Sequence, residues 1–589
     1  MTQMTELPQM TELLSEPPDT ATGSRPDTLL EAERAAGCRI DAVGVSQHAG
    51  RRQILHDVSF SIAPGELVAL VGGSGAGKTT VLEILAGLRA PSAGQVRHDG
   101  ARPDAGTAAG SGVGYVPQDD IIHAELPLRR TLQYAARLRL PAGTSPQRAE
   151  DVVEETMRDL DLVEARDVPV RALSGGQRKR ASIAVELLAQ PRTFFLDEPT
   201  SGLDPSTSAE VVRLLRRLAG RGVTVVLTTH EPATIDRCDQ VVVLARGGHL
   251  AFAGSPAQAR RYFGVEDLAD VYDRLAAEPA PQVWAERFAA WRDPATAAAA
   301  PSPEPTTAGT SARRPPSAAR QWWLLTRRNT EVLARNRLTL AILLGSPLLV
   351  TAMMCMLFRP GAFDQRGAAD AGPSQLVFWL AFAGFFFGLT YGLLQIVGEM
   401  SIFRREERTG LSTGAYVAAK IGVLLPVLML VTAVLLGVLR GLDRLPSAGW
   451  DVYGGLFVTL MVEAVSALAL GLLASAAVSS ASQAALALPM LCFPQVLFAG
   501  AIVPVAAMAA PGRLLSLGLS NRYAFEALGH SLGLDAFTAT RPGLRAYGDA
   551  FHGGLAGHWL VLAAFTMILA LATGWVLRRR CRTGALRRS

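Results

Sequence analysis

The stretch LVALVGGSGAGKTT sets Gly72, Gly77, Lys78 and Thr79 at the spacing G-x-x-x-x-G-K-[ST], directly after an apolar strand pattern and at the start of a helical one. Gly72, Gly73, Gly75 and Gly77, with Ser74 and Ala76 between them, let backbone N–H groups turn inward around phosphates. The helix N-terminus that follows, through Lys78, Thr79 and Thr80, favours negative charge. Lys78 is expected to reach the β- and γ-phosphates of bound ATP, and the Thr79 hydroxyl to bind Mg²⁺. Farther along, FFLDEP ends an apolar run in two carboxylates. Asp197 is the expected Mg²⁺ partner through the ion's water shell, and Glu198 the group that orients or deprotonates the attacking water.

These residues need a scaffold. From residue 39 to 265 short apolar runs alternate with helical patterns, among them Glu66–Val71, Thr193–Leu196, Val223–Leu227 and Val241–Leu244. That alternation predicts an α/β nucleotide-binding domain with buried parallel strands. Residues 1–38 read as a disordered acidic tail, and 266–320 as a linker, largely low complexity (AAAAPSPEPTTAGTSARRPPSAA). Residues 321–337 read as an amphipathic connecting helix, with Trp322, Leu325, Val332 and Leu333 apolar and Arg327, Arg328 and Arg335 charged.

The remainder is membrane-like, in keeping with a mean hydropathy of +0.23 over 589 residues. Over 338–580 six apolar spans are expected, at Leu338–Phe358, Leu376–Val397, Ile421–Leu439, Val452–Val478, Ala485–Val503 and Trp559–Leu577. Each is near the ~20 residues that cross a bilayer as a helix. A basic tail, 581–589, closes the chain. Arg335, Arg337, Arg404, Arg405, Arg408, Lys420, Arg578–Arg580 and Arg582 lead to the expectation of both termini on the cytoplasmic side, against fewer cations (Arg359, Arg440, Arg444) on the other. The fold class is therefore multidomain: an α/β P-loop ATPase domain and an all-α six-helix transmembrane domain. The five cysteines have no paired spacing, so free thiols and no disulfide are expected. The N-terminus lacks the pattern of a cleavable signal peptide.

Between the two nucleotide motifs lies ALSGGQRKRASIAVELL. Ser174-Gly175-Gly176-Gln177 resembles the signature sequence of ATP-binding cassette (ABC) ATPases, which presents a helix N-terminus to the γ-phosphate of ATP held by an opposing subunit. The resemblance implies further roles. Gln118 in YVPQDD matches the loop glutamine that senses Mg²⁺ and contacts the membrane domain. Ser201-Gly202-Leu203-Asp204 matches the loop that communicates across the ATPase dimer, and His230 the switch histidine at the γ-phosphate. Where many such domains stack adenine on an aromatic residue, VGVSQHAGRRQIL has none, and His48 is the nearest candidate.

An ATPase domain preceding the membrane domain is similar to the White or G subfamily of half-transporters. GGQRKRASIAVELL, FLDEPTSGLD, THEPATI and GEMSIFRREERTG carry that likeness. The last resembles a cytoplasmic coupling helix, whose Glu399, Arg404, Arg405, Glu406, Glu407 and Arg408 would dock on the ATPase domain by charge pairs; the alternative is a solvated loop. Residues Pro504–Gly557 have room for the family's short re-entrant helices and external loop.

The resemblance implies an ATP-hydrolysing transporter, working with a second half-transporter chain as a homodimer by alternating access in the bacterial inner membrane. Export of a lipid, hydrophobic metabolite or drug is the expected direction. Alternatives are a membrane-bound regulator or scaffold, and a soluble-type ABC ATPase acting on nucleic acid; one cassette with six spans opposes the latter, and no nucleic-acid partner is expected. Glu463, inside the fourth span, is expected either to bind a cation or proton or to pair with a buried donor, and Gln495 to line the pathway or accompany a kink.

Overall fold

The computed structural model describes residues 37–103, 112–278, 280–292, 316–361, 363, 372–536 and 546–587. The tail expected over 1–38, save its last two residues, and the linker over 293–315 lie outside them.

Nine strands form one sheet: β1 (Ile40–Ala49), β2 (Arg52–Ile62), β3 (Leu67–Gly72), β4 (Ala93–His98), β5 (Val113–Val116), β6 (Thr193–Leu196), β7 (Thr224–Thr228), β8 (Gln240–Ala245) and β9 (His249–Gly254). Their order is β4-β1-β2-β9-β8-β3-β7-β6-β5. The strands expected from apolar runs, β3, β6, β7 and β8, pair in parallel, and β3 is buried at all six positions, as a strand covered on both faces must be. The antiparallel wing of β4, β1 and β2, and β9 beside β8, were not in that expectation. β1 alternates buried and exposed side chains and so lacks the continuous apolar run of a central strand.

The ATPase domain's helices are α1 (Lys78–Leu85), α2 (Leu128–Arg139), α3 (Pro146–Asp159), α4 (Gly175–Leu187), α5 (Pro205–Gly220), α6 (Pro232–Ile235), α7 (Pro256–Phe263), α8 (Val271–Ala277) and α9 (Gln282–Trp291). The last two correct the expected linker, because residues 268–277 and 282–291 form helical turns on the domain. Trp284 and Phe288 of α9 are buried, with ring centroids 5.2 Å from Phe263 and 5.5 Å from Phe252 respectively. Trp284, Phe288 and Trp291 recur at helical spacing, a stripe that the surrounding Ala and Pro obscured.

After the linker come α10 (Ala318–Arg335), α11 (Arg337–Leu357), α12 (Gly372–Leu393), α13 (Met400–Arg408), α14 (Thr413–Gly441), α15 (Trp450–Ala477), α16 (Ala481–Leu497), α17 (Ala510–Ser516), α18 (Ser520–Ser531) and α19 (Leu555–Arg587). Asn336 breaks α10 from α11 and caps the latter through the Thr339 N–H at 3.1 Å. Five of these stretches are long and apolar enough to cross a bilayer. The fifth expected span differs: α16 has 17 residues, holds Pro489 and Pro494, and ends at Leu497 where the apolar pattern ran on to Val503. The tail expected over 581–589 continues α19 to Arg587.

α12 and α15 meet backbone to backbone. A Cβ on Gly388 would lie 2.0 Å from the Ala464 carbonyl oxygen, on Gly392 2.5 Å from that of Leu468, and on Gly471 2.5 Å from that of Leu389. Such a small-residue seam is how apolar helices gain contact where lipid offers no hydrophobic contrast.

Candidate functional site

The phosphate loop joins β3 to α1, and two of its glycines are fixed by space and torsion together. Gly72 (φ 154°) faces the Leu244 carbonyl oxygen, 2.5 Å from where a Cβ would stand, and Gly77 (φ 93°) faces Leu55 Cδ2 at 2.7 Å. Gly73 and Gly75 differ from that pair: among the described residues a Cβ on either would meet nothing within 4 Å. Gly77 is also the residue that opens α1, so its left-handed torsion aims the helix N-terminus at the loop. Lys78 donates from Nζ to the Gly72 carbonyl oxygen at 2.8 Å and to that of Gly73 at 3.3 Å. Burial lowers its ammonium from the ordinary range, against the pull of Glu198 and Asp197.

Asp197 and Glu198 follow β6. Asp197 Oδ1 accepts from Thr79 Oγ1 at 3.2 Å and from Thr228 Oγ1 at 2.7 Å. Thr228 Oγ1 in turn accepts from the Glu198 backbone N–H at 2.8 Å, which holds Glu198 at φ 46°, a left-handed torsion costing a non-glycine residue about 1–3 kcal/mol. The Glu198 carboxylate accepts from Gln118 Nε2 at 3.1 Å. Thr79, Asp197, Glu198 and Gln118 are thus brought together, and their hydroxyl, carboxylate and amide oxygens are the hard donors that suit Mg²⁺. Thr228 was missed in sequence; its only signal is its place at the end of β7. Tyr272 of α8 was hidden by the linker assignment: burial raises its phenol, the Glu198 charge adds to the effect, and its hydroxyl has no hydrogen-bond partner among the described residues.

Ser174 caps α4 in a capping box: its Oγ accepts from Gln177 N–H at 3.2 Å, and Gln177 Oε1 accepts from Ser174 N–H at 3.1 Å. Gly176 packs so closely on α5 that a Cβ would lie 2.3 Å from Thr207 Cγ2. Asp204 caps α5, and hydrogen bonds from Ser206 and Thr207 hold its carboxyl below the ordinary carboxylate range. Aspartate followed by proline at a helix start is the signal for that cap. His230 is exposed two residues beyond β7, and His48 is exposed on β1; among the described residues neither side chain makes a hydrogen bond.

The same loop and helix carry the contact with the membrane half. Lys179 of α4, 3% exposed, donates to the Gln118 carbonyl oxygen at 2.8 Å and lies 3.4 Å from Asp120. Three residues on, the Ile121 carbonyl oxygen accepts from Arg405 of α13 at 2.6 Å. Arg405 also donates to the Ser182 carbonyl oxygen at 3.0 Å and to Glu186 at 2.6 Å, both on α4. Arg139 of α2 grips the same carboxylate at 2.7 and 2.9 Å. Burial pushes the Glu186 carboxyl up, but the two guanidinia outweigh it and bring it down to about 2.

Of the charges expected to dock α13 on the ATPase domain, Arg405 does so. Glu406 instead pairs with Arg328 of α10, and Glu399 with Lys420 of α14 at 2.7 Å, so these two acids fix the helix to its own domain. α10 adds a second, shallower tie, Glu331 to Arg130 at 2.7 Å and to the Tyr134 hydroxyl at 2.9 Å. His123 lies against the joint, with its imidazole pushed down to about 4 by burial and by Arg328.

In the membrane half, Glu463 is fully buried and Oε1 accepts from Ser520 Oγ at 2.9 Å. Gln495, 4% exposed, accepts from Asn521 N–H through Oε1 and from Asn521 Nδ2 through its carbonyl, both at 3.0 Å. Both candidate pathway residues therefore anchor the start of α18, and for Glu463 the buried donor is found.

Comparison with known proteins fits this geometry. Residues 55–201 match the ABC transporter family model, and 320–531 that of the ABC-2 type transporter. The chain is 34% identical to the ABC transporter ATP-binding/permease protein Rv1747 of Mycobacterium tuberculosis over 82% of this chain and 56% of that protein. It is 38% identical to ABC transporter G family member 22 of Arabidopsis thaliana over 36% of this chain and 29% of the relative. It is 37% identical to the broad substrate specificity ATP-binding cassette transporter ABCG2 of Bos taurus over 36% and 33%. The chain spans about half the length, or less, of these curated relatives. It joins an ABC-transporter ATPase domain to an ABC-2 type membrane domain and is homologous to Rv1747 and the G-family proteins.

Proposed function

We propose that this homologue of the ATPase-first ABC proteins works as a dimer that hydrolyses ATP to move an apolar or amphipathic substrate across the bacterial inner membrane, outward from the cytoplasm. The observation that carries this reading is Arg405. One guanidinium of the membrane half bonds both the loop that bears Gln118 and the helix that Ser174 opens, so movement at either nucleotide element is delivered to α13.

In this reading Gly72–Thr80 cradle the triphosphate, with Lys78 turning from the Gly72 carbonyl to the phosphate oxygens. Thr79, Asp197 and Gln118 would hold Mg²⁺, which when bound neutralises phosphate charge. Glu198, released from Gln118, takes the proton of the attacking water, and His230 contacts the γ-phosphate. Ser174, Gly175, Gly176 and Gln177 present the α4 N-terminus to the ATP of the second copy, and Asp204 faces the dimer seam. Each chain supplies one P-loop and one signature, which serve different composite sites, so two copies complete two sites. α13 and the connecting helix α10 convey their closure to the spans, with the ATPase domain and both termini cytoplasmic.

The test is ATP hydrolysis and substrate efflux by the purified chain in lipid vesicles. Wild type should hydrolyse ATP and Glu198→Gln should not; equal rates overturn the catalytic assignment. Comparing lipids and metabolites retained by cells with and without the protein identifies the substrate, and identical profiles overturn transport.

A further inference from the structure

We propose that Glu463 is a proton-binding site inside the membrane domain, and that its protonated form keeps α18 seated on α15. The proposal rests on reading α15 as a membrane span. Glu463 stands at the middle of the 28 residues of α15 and is fully buried. Only one of its oxygens is engaged, by Ser520; Oε2 has no hydrogen-bond partner among the described residues.

Among the described residues, none of the charged or titratable groups on the surrounding elements pairs with Glu463. Lys420 of α14 pairs with Glu399, and Arg522 of α18 pairs with Glu526 at 2.9 Å. His558 of α19 lies 3.8 Å from Glu526, and the Tyr391 hydroxyl of α12 donates to the Leu343 carbonyl oxygen. α16 contributes Cys492, half-buried, and the uncharged Gln495. An ionised Glu463 would therefore carry a full charge at mid-span, fully buried and with no counter-ion among the described residues. The N-terminus of α18 offers a fraction of a positive charge, less than desolvation takes away.

A proton resolves this without further groups. It is taken from the aqueous phase, the O–H bond forms at Oε2, and the carboxylate becomes a neutral acid. The new O–H then needs an acceptor, and two buried oxygens close in sequence to this contact have no hydrogen-bond partner among the described residues: Asn521 Oδ1, beside Ser520, and Ser466 Oγ, one turn along α15. α18 begins by tying Ser520 to α15 and Asn521 to α16, so it spans two helices at its first two residues. Loss of the proton places a charge in that contact, and the relief available is for α18 to lift and admit water.

The experiment uses the full chain in native membranes, washed with alkali to remove peripheral proteins and then treated with dicyclohexylcarbodiimide, which adds to protonated carboxyls in apolar surroundings. Mass spectrometry should find Glu463 modified at neutral pH and progressively less modified in alkaline buffer. Infrared spectra of the purified chain in lipid should show a protonated-carboxyl band that Glu463→Gln lacks, which covers the case where reagent access alone prevents labelling. Glu463→Gln, isosteric with the neutral acid, should keep its ATPase activity and lose the alkaline decline of the wild type. Release of the chain by the alkali wash overturns the span reading and the proposal with it. A membrane-held chain with no protonated-carboxyl band at neutral pH overturns the proposal alone, as does a band that sodium converts to carboxylate at constant pH.

Discussion

Two polar regions of this protein, the nucleotide site and the joint between α13 and the ATPase domain, use similar side chains in opposite ways. At the nucleotide site the groups are held in place by backbone: glycine torsions at 72 and 77, the turn at Glu198, and caps at Ser174 and Asp204. Ser174, Asp204 and His230 themselves stand in contact with water. At the joint Arg139, Glu186 and Arg405 are buried and held by one another, with side chains 3%, 6% and 9% exposed. A side chain removed from the first region should therefore take its chemistry with it and leave the fold, whereas one removed from the second should leave an uncompensated charge behind.

The sharpest test of that contrast is Glu198→Gln, which should lower ATP hydrolysis by about a hundredfold or more while the melting temperature stays unchanged. Glu186→Gln should do the reverse: a destabilisation of about 3–5 kcal/mol in denaturant titration, because two guanidinia lose their shared anion. Pairing it with Arg405→Met should recover part of that loss. If the single change costs nothing, the joint is not a tight ionic cluster.

Acid should separate the two regions next. The Glu186 carboxyl is brought from the ordinary carboxylate value near ~4.3 to about 2, so the stability it contributes is complete above the higher value and is lost as pH falls through the lower. Acid unfolding followed by tryptophan fluorescence should show that limb in wild type and not in Glu186→Gln. The smallest effect belongs to the shallow tie: Glu331→Gln faces partly exposed Arg130 and should cost under about 1 kcal/mol.

What the sequence disclosed follows from how far each contact reaches along the chain. The phosphate loop and the central strands are local patterns, and β3, β6, β7 and β8 form where the apolar runs lie. Thr228 binds Asp197 across 31 residues, and Arg405 binds Glu186 across 219, and nothing local marks either pair. The acidic and basic mixture in GEMSIFRREERTG fits docking by charge pairs or a solvated loop, and which charge faces which domain depends on α10 and α14 lying beside it. Glu463 was legible as an oddity, since a charge within an apolar run is conspicuous, whereas its partner Ser520 is an ordinary residue in an irregular stretch.

Synthesis delivers α12 to the membrane before α15 exists. Until Ala464 and Leu468 have emerged, the groove over Gly384, Gly388 and Gly392 has only lipid chains against it, and these cannot reproduce the fit of a backbone. The second span is then a guest without a seat, and α14 must insert and wait beside it. A larger residue at Gly388 should therefore act as an assembly lesion, leaving a complete chain whose early spans never find their late partner and which membrane proteases remove before it ever meets ATP.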